Sequence, residues 1–256
     1  MLDARSVSYK VGATTLLQPC SLTFEPGRFH VIMGPNGAGK STLLQLLAGE
    51  LKPATGAVYW HNEPVMGFAR AEWARQRAVL SQHYALQFPI TVQEVVALGR
   101  YPYAGTRPAA EEEKLIRECL EAMQMEAFTG RDYNTLSGGE AQKVQMSRVL
   151  AQLGGSEARG KLLLLDEPVS HLDLRYQHSL LQTARKLCLD GNTVIAVLHD
   201  LNLALRFADR ILFIKSGKVR YDLPKTELTD PEIIGDVFDI PVRLLRDAEG
   251  QAFFVF

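Results

Sequence analysis

With 256 residues, 46% of them hydrophobic, the chain is long enough to bury one sizeable core, or one core with a small subdomain. Its 28 basic residues against 29 acidic give a formal net charge of -1, which leaves no broad field to attract nucleic acid or an anionic membrane without a specific site. The start, Met1-Leu2-Asp3-Ala4-Arg5, carries charges where a secretory signal needs an apolar stretch, and apolar runs such as Leu162 to Leu165 fall far short of a bilayer span.

Val7 and Tyr9 alternate as in an ordinary strand, and the turn Pro53-Ala54-Thr55-Gly56 leads into Val58-Tyr59-Trp60. Together they predict a small antiparallel sheet flanking a glycine-rich loop at 34–42. Unbroken apolar runs at Phe29 to Met33, Leu162 to Leu165, Thr193 to Leu198 and Ile211 to Ile214 predict strands buried on both faces, as in a parallel sheet covered by helices. The fold class is α/β. Between Pro89 and Leu153 helical signals take over, at Thr91 to Leu98, Glu111 to Met123 and Ser137 to Gln152, so a helical subdomain inserted at about 89–153 is expected within one domain spanning 1–256. The loop Arg100 to Pro108 cannot be helical through its prolines and is expected to expose aromatic and basic groups as a docking surface. From about 223 the chain is an elaboration: a short helix after Pro231, then a hairpin turning at Asp247-Ala248-Glu249-Gly250. Cys20, Cys119 and Cys188 are widely spaced with no Cys-x-x-Cys pair and are expected as buried, reduced thiols.

Three segments carry chemistry. The strand ending at Met33 runs into Gly34-Pro35-Asn36-Gly37-Ala38-Gly39-Lys40-Ser41-Thr42 and then a helical pattern, the context in which the phosphate-loop pattern has meaning. Glycines let backbone N–H groups turn inward around phosphate oxygens, Lys40 is expected to reach the β- and γ-phosphates, and Ser41 to ligate Mg²⁺. At the end of a buried strand stand Asp166, placed to hold Mg²⁺ through water, and Glu167, placed to accept a proton from or orient an attacking water. Leu136-Ser137-Gly138-Gly139-Glu140 opens a long helix. A capping box explains the serine and the acid but not two consecutive glycines, which make sense if a phosphate approaches the backbone.

In order, Gly34 to Thr42, Gln82, Leu136 to Glu140, Leu162 to Glu167, Ser170 to Asp173 and His199 resemble the motifs of ABC ATPases, over about residues 1–222. The resemblance implies a P-loop NTPase core with ATP and Mg²⁺ as cofactors. It implies that Tyr9 stacks on adenine, that Gln82 touches Mg²⁺ or water and hinges the helical subdomain, and that His199 contacts the γ-phosphate. Ser170 and Asp173 then belong to a loop crossing a dimer interface, and Leu136 to Glu140 act in trans, with Ser137 facing the nucleotide held by the Lys40 of a second copy. His171 stands where this family often has a smaller residue, and Ala141 replaces a common polar one.

The stretch Val92 to Tyr103 is similar to the ATPases of importers for iron-siderophore complexes, cobalamin and haem. Leu150 to Leu153, the loose segment from Gly154 to Gly160, and Asp173 to His178 look most like haem-importing members. This narrower resemblance implies a homodimer, peripheral on the cytoplasmic face of the cell membrane, working with two membrane-spanning permease subunits and indirectly with a substrate-binding protein. Import of another metal chelate is the near alternative. A soluble ABC ATPase acting on nucleic acid or ribosomes shares the same motifs, but near-neutral charge and the absence of long coiled-coil insertions argue against nucleic acid as a partner. A module that holds ATP without turnover is opposed by the intact Glu167 and His199.

Overall fold

The computed structural model describes residues 1–81, 88–155, 158–170, 172–246 and 252–255. The chain forms two compact units, Met1–Gly67 with Thr193–Phe256, and Phe68–Asn192. The first stretch holds β1 (Leu2–Val11), β2 (Thr14–Phe24), β3 (Phe29–Met33), α1 (Lys40–Ala48), β4 (Thr55–Trp60) and β5 (Glu63–Pro64). The second unit holds α2 (Arg70–Gln76), β6 (Arg77–Leu80), α3 (Val92–Leu98), α4 (Ala109–Ala122), α5 (Gly138–Leu153), β7 (Leu162–Asp166) and α6 (Leu174–Leu189). The chain then completes the first unit with β8 (Thr193–Val197), α7 (Leu201–Phe207), β9 (Arg210–Lys215), β10 (Lys218–Pro224), α8 (Pro231–Phe238), β11 (Arg243–Arg246) and β12 (Ala252–Val255).

In the first unit the expected antiparallel sheet has the order β2-β1-β4-β5. Leu2, Val7, Leu17 and Phe24 pack inward fully buried, with Leu16, Gln18 and Thr23 beside them exposed on β2, whereas β1 also buries Asp3, Ala4 and Ser8. Every residue of β3 and β8 is buried, and β3 pairs in parallel with both β8 and β9, with β10 antiparallel on the far side of β9. The continuous apolar runs are therefore strands covered on both faces, as the sequence predicts. The tail hairpin forms between β11 and β12, while its expected turn at 247–250 lies outside the described residues. Asn202 on α7 anchors it, accepting a hydrogen bond from the Phe254 amide at 2.9 Å and donating to the Phe254 carbonyl at 3.3 Å.

In the second unit β6 and β7 pair in parallel, and α3, α4 and α5 occupy the span in which helical signals dominate. Both α3 and α5 start with capping boxes, Thr91 with Glu94 and Ser137 with Glu140, which satisfy N–H groups that a helix start leaves orphaned. At the end of α3, Gly99 lies so near α5 that a Cβ would fall 2.3 Å from the Arg148 carbonyl oxygen, so the two helices approach at backbone distance.

The loop after α3 differs from expectation in two respects. Tyr101–Tyr103 forms a 3-10 turn with Pro102 inside it, which a proline at the start of a helical turn permits because its missing N–H has no partner there in any case. Arg100, expected on the surface, is only 6% exposed. Its guanidinium grips Glu112 with two hydrogen bonds of 2.6 and 2.9 Å, donates to the Ala151 carbonyl at 2.7 Å, and lies 4.0 Å from the centre of the Tyr103 ring. Tyr101 is 81% exposed. Of the groups expected on the surface, Tyr101 is exposed, Tyr103 is half-buried and Arg100 is turned inward. All three cysteines are free thiols, and burial pushes Cys119 up to about 12 and Cys20 up to about 11, consistent with unreactive structural positions.

Candidate functional site

In the first unit, β3 delivers the chain to Gly34, whose φ is 149° and whose added Cβ would lie 1.9 Å from the Ile214 carbonyl oxygen. Only glycine fits there, because β9 runs against the strand end at backbone distance. The loop that follows is tied to the chain after β9, the Gly217 amide donating to the Ala38 carbonyl at 2.9 Å. Helix α1 opens at Lys40 with Gly39, which has no side chain to cap it, as its N-cap, and with no acidic residue in its first turn. A helix start without a capping side chain or an acid carries N–H groups and partial positive charge of the kind that suits an anion. Lys40 is buried, its ammonium donating to the Gly34 and Pro35 carbonyls at 2.9 Å each, which holds the charge over the loop. Asn36 and Gly37 are exposed, Pro35, Gly39, Ser41 and Thr42 half-buried, and Ala38 buried.

His199 belongs to the same edge. Ile32 pairs with Val197, so Gly34 and His199 each stand two residues past paired positions on adjacent parallel strands. His199 is exposed, and the next residue, Asp200, caps α7 by accepting from the Asn202 and Leu203 amides at 2.7 and 2.9 Å. Tyr9 is half-buried on β1.

The second unit repeats this logic with acids. Leu80 pairs with Leu165, and Asp166 and Glu167 follow directly at the C-terminal end of β7. Asp166 is 8% exposed and Glu167 half-buried. Glu167 has φ 49°, a left-handed backbone that a side-chain-bearing residue adopts only under constraint. Gln82, also two residues beyond the Leu80–Leu165 pair, lies outside the described residues, as does His171. Ser170 is exposed, its hydroxyl donating to the Glu167 carbonyl at 3.2 Å, and Asp173 caps α6 by accepting from the Tyr176 amide at 3.0 Å.

The start of α5 satisfies its own capping box. The Ser137 amide and hydroxyl both donate to the Glu140 carboxylate at 2.7 Å, which holds that carboxyl below the usual range. Leu136 and Gly139 are half-buried and Ser137 and Gly138 exposed. A methyl group added at Gly138 would meet nothing within 4 Å in this chain, so internal packing does not explain the glycine.

The ABC transporter family profile matches residues 17–170. This chain belongs to the ABC transporter family. Within it the chain is an ATP-binding ATPase. It is 44% identical to the hemin import ATP-binding protein HmuV of Rhodopseudomonas palustris strain BisA53, over 99% of this chain and 93% of that protein. To the protein of the same name in Rhizobium meliloti strain 1021 it is 41% identical, over 95% of this chain and 93% of that one. Among solved structures it matches a dimeric post-hydrolysis state of an ATP-binding cassette bound to ADP and Pi, with 31% identity, a TM-score of 0.77, and 88% of this chain and 99% of that chain covered.

Sequence motifs did not single out the polar stripe of this ABC ATPase along α5. Gln142, Gln145, Arg148 and Gln152 recur at helical spacing among apolar neighbours, and each has fixed partners. Gln145 donates to the Tyr133 hydroxyl, Arg148 to Gln145 and the Val79 carbonyl, and Gln152 to the Ala74 and Arg77 carbonyls. The legible signal was polarity recurring every three or four residues on a helix otherwise rich in core residues.

Proposed function

We propose that this ATPase powers import of haem as a head-to-tail homodimer, peripheral on the cytoplasmic face of the membrane, docked on two membrane-spanning permease subunits that receive cargo from a binding protein. The observation that carries the cargo assignment is the match to hemin import ATP-binding proteins across nearly the whole of both chains. Residues 1–256 then act as one ATPase domain, with 89–153 as its helical insert and about 223–256 as an elaboration.

The open N-terminus of α1, the Gly34 to Thr42 loop and the Lys40 ammonium suit a triphosphate, and Tyr9 suits the adenine face. The Ser41 hydroxyl, the Asp166 carboxylate and the Gln82 amide oxygen are hard oxygen donors, the kind Mg²⁺ takes. Bound Mg²⁺ supplies neutralisation of phosphate charge. In the hydrolytic step a water oxygen bonds to the γ-phosphorus, the bond to the β,γ-bridging oxygen breaks, and Glu167 takes the water proton, leaving ADP and phosphate. Lys40 and His199 stabilise charge on the phosphoryl oxygens. Leu136 to Glu140 approach the nucleotide of the second copy, a role that fits a Gly138 with no packing demand from its own chain, and Ser170 and Asp173 line the same interface. ATP bridging two copies favours the closed dimer, and hydrolysis removes the bridge. Exposed Tyr101 and Leu98 offer the permease a docking surface.

Glu167→Gln is expected to bind ATP, accumulate as an ATP-dependent dimer on size exclusion and lose nearly all hydrolysis. Turnover near the wild-type rate would move the base elsewhere. Cargo is tested by ATPase stimulation in proteoliposomes holding the cognate permease. Haem-loaded binding protein is expected to stimulate, and stimulation by a siderophore or cobalamin complex in its place would sink haem as the cargo.

A further inference from the structure

A carboxylate-bearing residue at φ 49° raises the question of what fastens the backbone around Glu167. The hydrogen bonds there supply an answer. The side-chain amide of Gln142, on the second turn of α5, donates to the Pro168 carbonyl and, at 3.4 Å, to the Glu167 carbonyl. Gln142 Oε1 is buried with no hydrogen-bond partner among the described residues. The reverse amide orientation would set that oxygen against two carbonyl oxygens, so the donor end must face the loop. A glutamine that leaves its acceptor unsatisfied costs more than an apolar residue of the same length, unless the donation itself is needed. The adjacent residue adds a second fastening: the Lys143 ammonium lies 2.9 Å from the centre of the Tyr176 ring, in the first turn of the helix that Asp173 caps.

We propose that Gln142 is a positioning residue for Glu167, and that through it the Ser137 to Glu140 end of α5 sets the backbone of the base. The proposal rests on reading Glu167 as the group that takes the water proton. Its consequence is directional. If Ser137 to Glu140 meet the nucleotide of a second copy, any shift of α5 on that contact is passed to this chain's own Glu167, which works on this chain's own nucleotide. One site would then report its occupancy to the other through a single amide.

The test uses the full-length ATPase and three variants. Gln142→Met keeps the length and removes the donor, and kcat is expected to fall roughly fivefold or more while KM for ATP moves less than about twofold. Gln142→Glu sets a carboxylate against the two carbonyls and is expected to be slower still. Protonation restores an O–H donor, so its kcat relative to wild type is expected to rise as pH is lowered from about 8 to about 6. Gln142→Asn, with the amide on a shorter stem, is expected to lose less than the methionine variant and serves if that chain does not fold. A structural role alone predicts kcat, ATP affinity and melting temperature falling together with no pH-dependent recovery, and that pattern would overturn the inference. Glu167→Gln run in parallel separates the two readings. If it still hydrolyses ATP, the base assignment fails, whereas a dead Glu167→Gln beside an unimpaired Gln142→Met overturns the positioning role alone.

Discussion

Replacing Arg100 with methionine keeps most of the aliphatic bulk and removes the guanidinium, leaving the Glu112 carboxylate without its Arg100 donors and the Ala151 carbonyl to the Gly154 amide. Three hydrogen bonds are lost, two of them to an ionised partner, and the Tyr103 ring loses a cation held 4.0 Å from its centre. Breaking a buried ion pair by removing one member costs about 3–5 kcal/mol, because the other charge stays behind uncompensated. Glu112 has a side chain 21% exposed, so water can partly rehydrate it, which places the expected loss at the lower end, about 3 kcal/mol. For a chain of this size that corresponds to a melting temperature lower by roughly 6–12 °C, read by scanning calorimetry. The sign with pH follows from the hydrogen bonds that Arg100 makes, which hold the Glu112 carboxyl below its ordinary range. The pair's contribution is present above the ordinary carboxylate pKa and is lost only as pH falls through that lowered value. Tyr101→Ala is the control, since a side chain 81% exposed contributes within about 0.5 kcal/mol of nothing to stability. An Arg100→Met protein melting within about 2 °C of wild type would refute the structural role, and a selective loss of permease stimulation in it would return Arg100 to the docking surface.

Two further outcomes are expected. His30 is fully buried, and burial pushes its pKa down from 6.5 to about 4, so the unfolded chain binds a proton in that window that the folded chain does not, and stability of about 3 kcal/mol is lost as pH falls from 6.5 to about 4. Urea midpoints measured across this range should fall more steeply for wild type than for His30→Asn, and parallel curves would sink the assignment. Glu140→Gln keeps an acceptor for the Ser137 amide and hydroxyl but removes the negative charge beside the exposed Ser137 and Gly138. Half-maximal dimerisation on size exclusion should then need less ATP than in wild type, and a requirement for more would argue against a phosphate approaching this helix start.

What the sequence disclosed depended on how local each signal was. Strands buried on both faces appear as unbroken apolar runs, so β3, β7, β8 and β9 were legible to within a residue or so at each end. The strand, glycine-rich loop and helix at 29–48 are legible because the loop's glycines, lysine and serine are contiguous. Arg100 was misjudged because its partner Glu112 is twelve residues away and its carbonyl acceptor, Ala151, fifty-one. Nothing local distinguishes an arginine that folds inward onto a later helix from one that faces water, and the prolines at 102 and 108 make the outward reading the natural one. Gln142 is illegible for the same reason, since the carbonyls it serves lie twenty-five and twenty-six residues downstream. The serine of α5 illustrates the opposite problem. Its capping box is legible and real, yet it describes how the helix starts without saying what the two glycines behind it are for.

Those glycines, Gly34 and Glu167 show two ways of placing chemistry at a strand end. At Gly34 the backbone itself must pass within contact distance of a neighbouring strand, so the side chain is dispensed with and the unusual φ carries little strain. At Glu167 a carboxylate-bearing residue keeps a left-handed backbone at a cost on the order of 1–3 kcal/mol, and on the proposed reading of that carboxylate as the base the side chain cannot be dispensed with. The donors on its carbonyl come from Ser170 and Gln142. A glycine at 167 would relieve the strain and remove the carboxylate with it. Ser216 and Asp239 share a left-handed backbone, at φ 52° and 57°, so the φ alone does not mark a site: what sets Glu167 apart is its place directly after a buried parallel strand, with those two side-chain donors on its carbonyl.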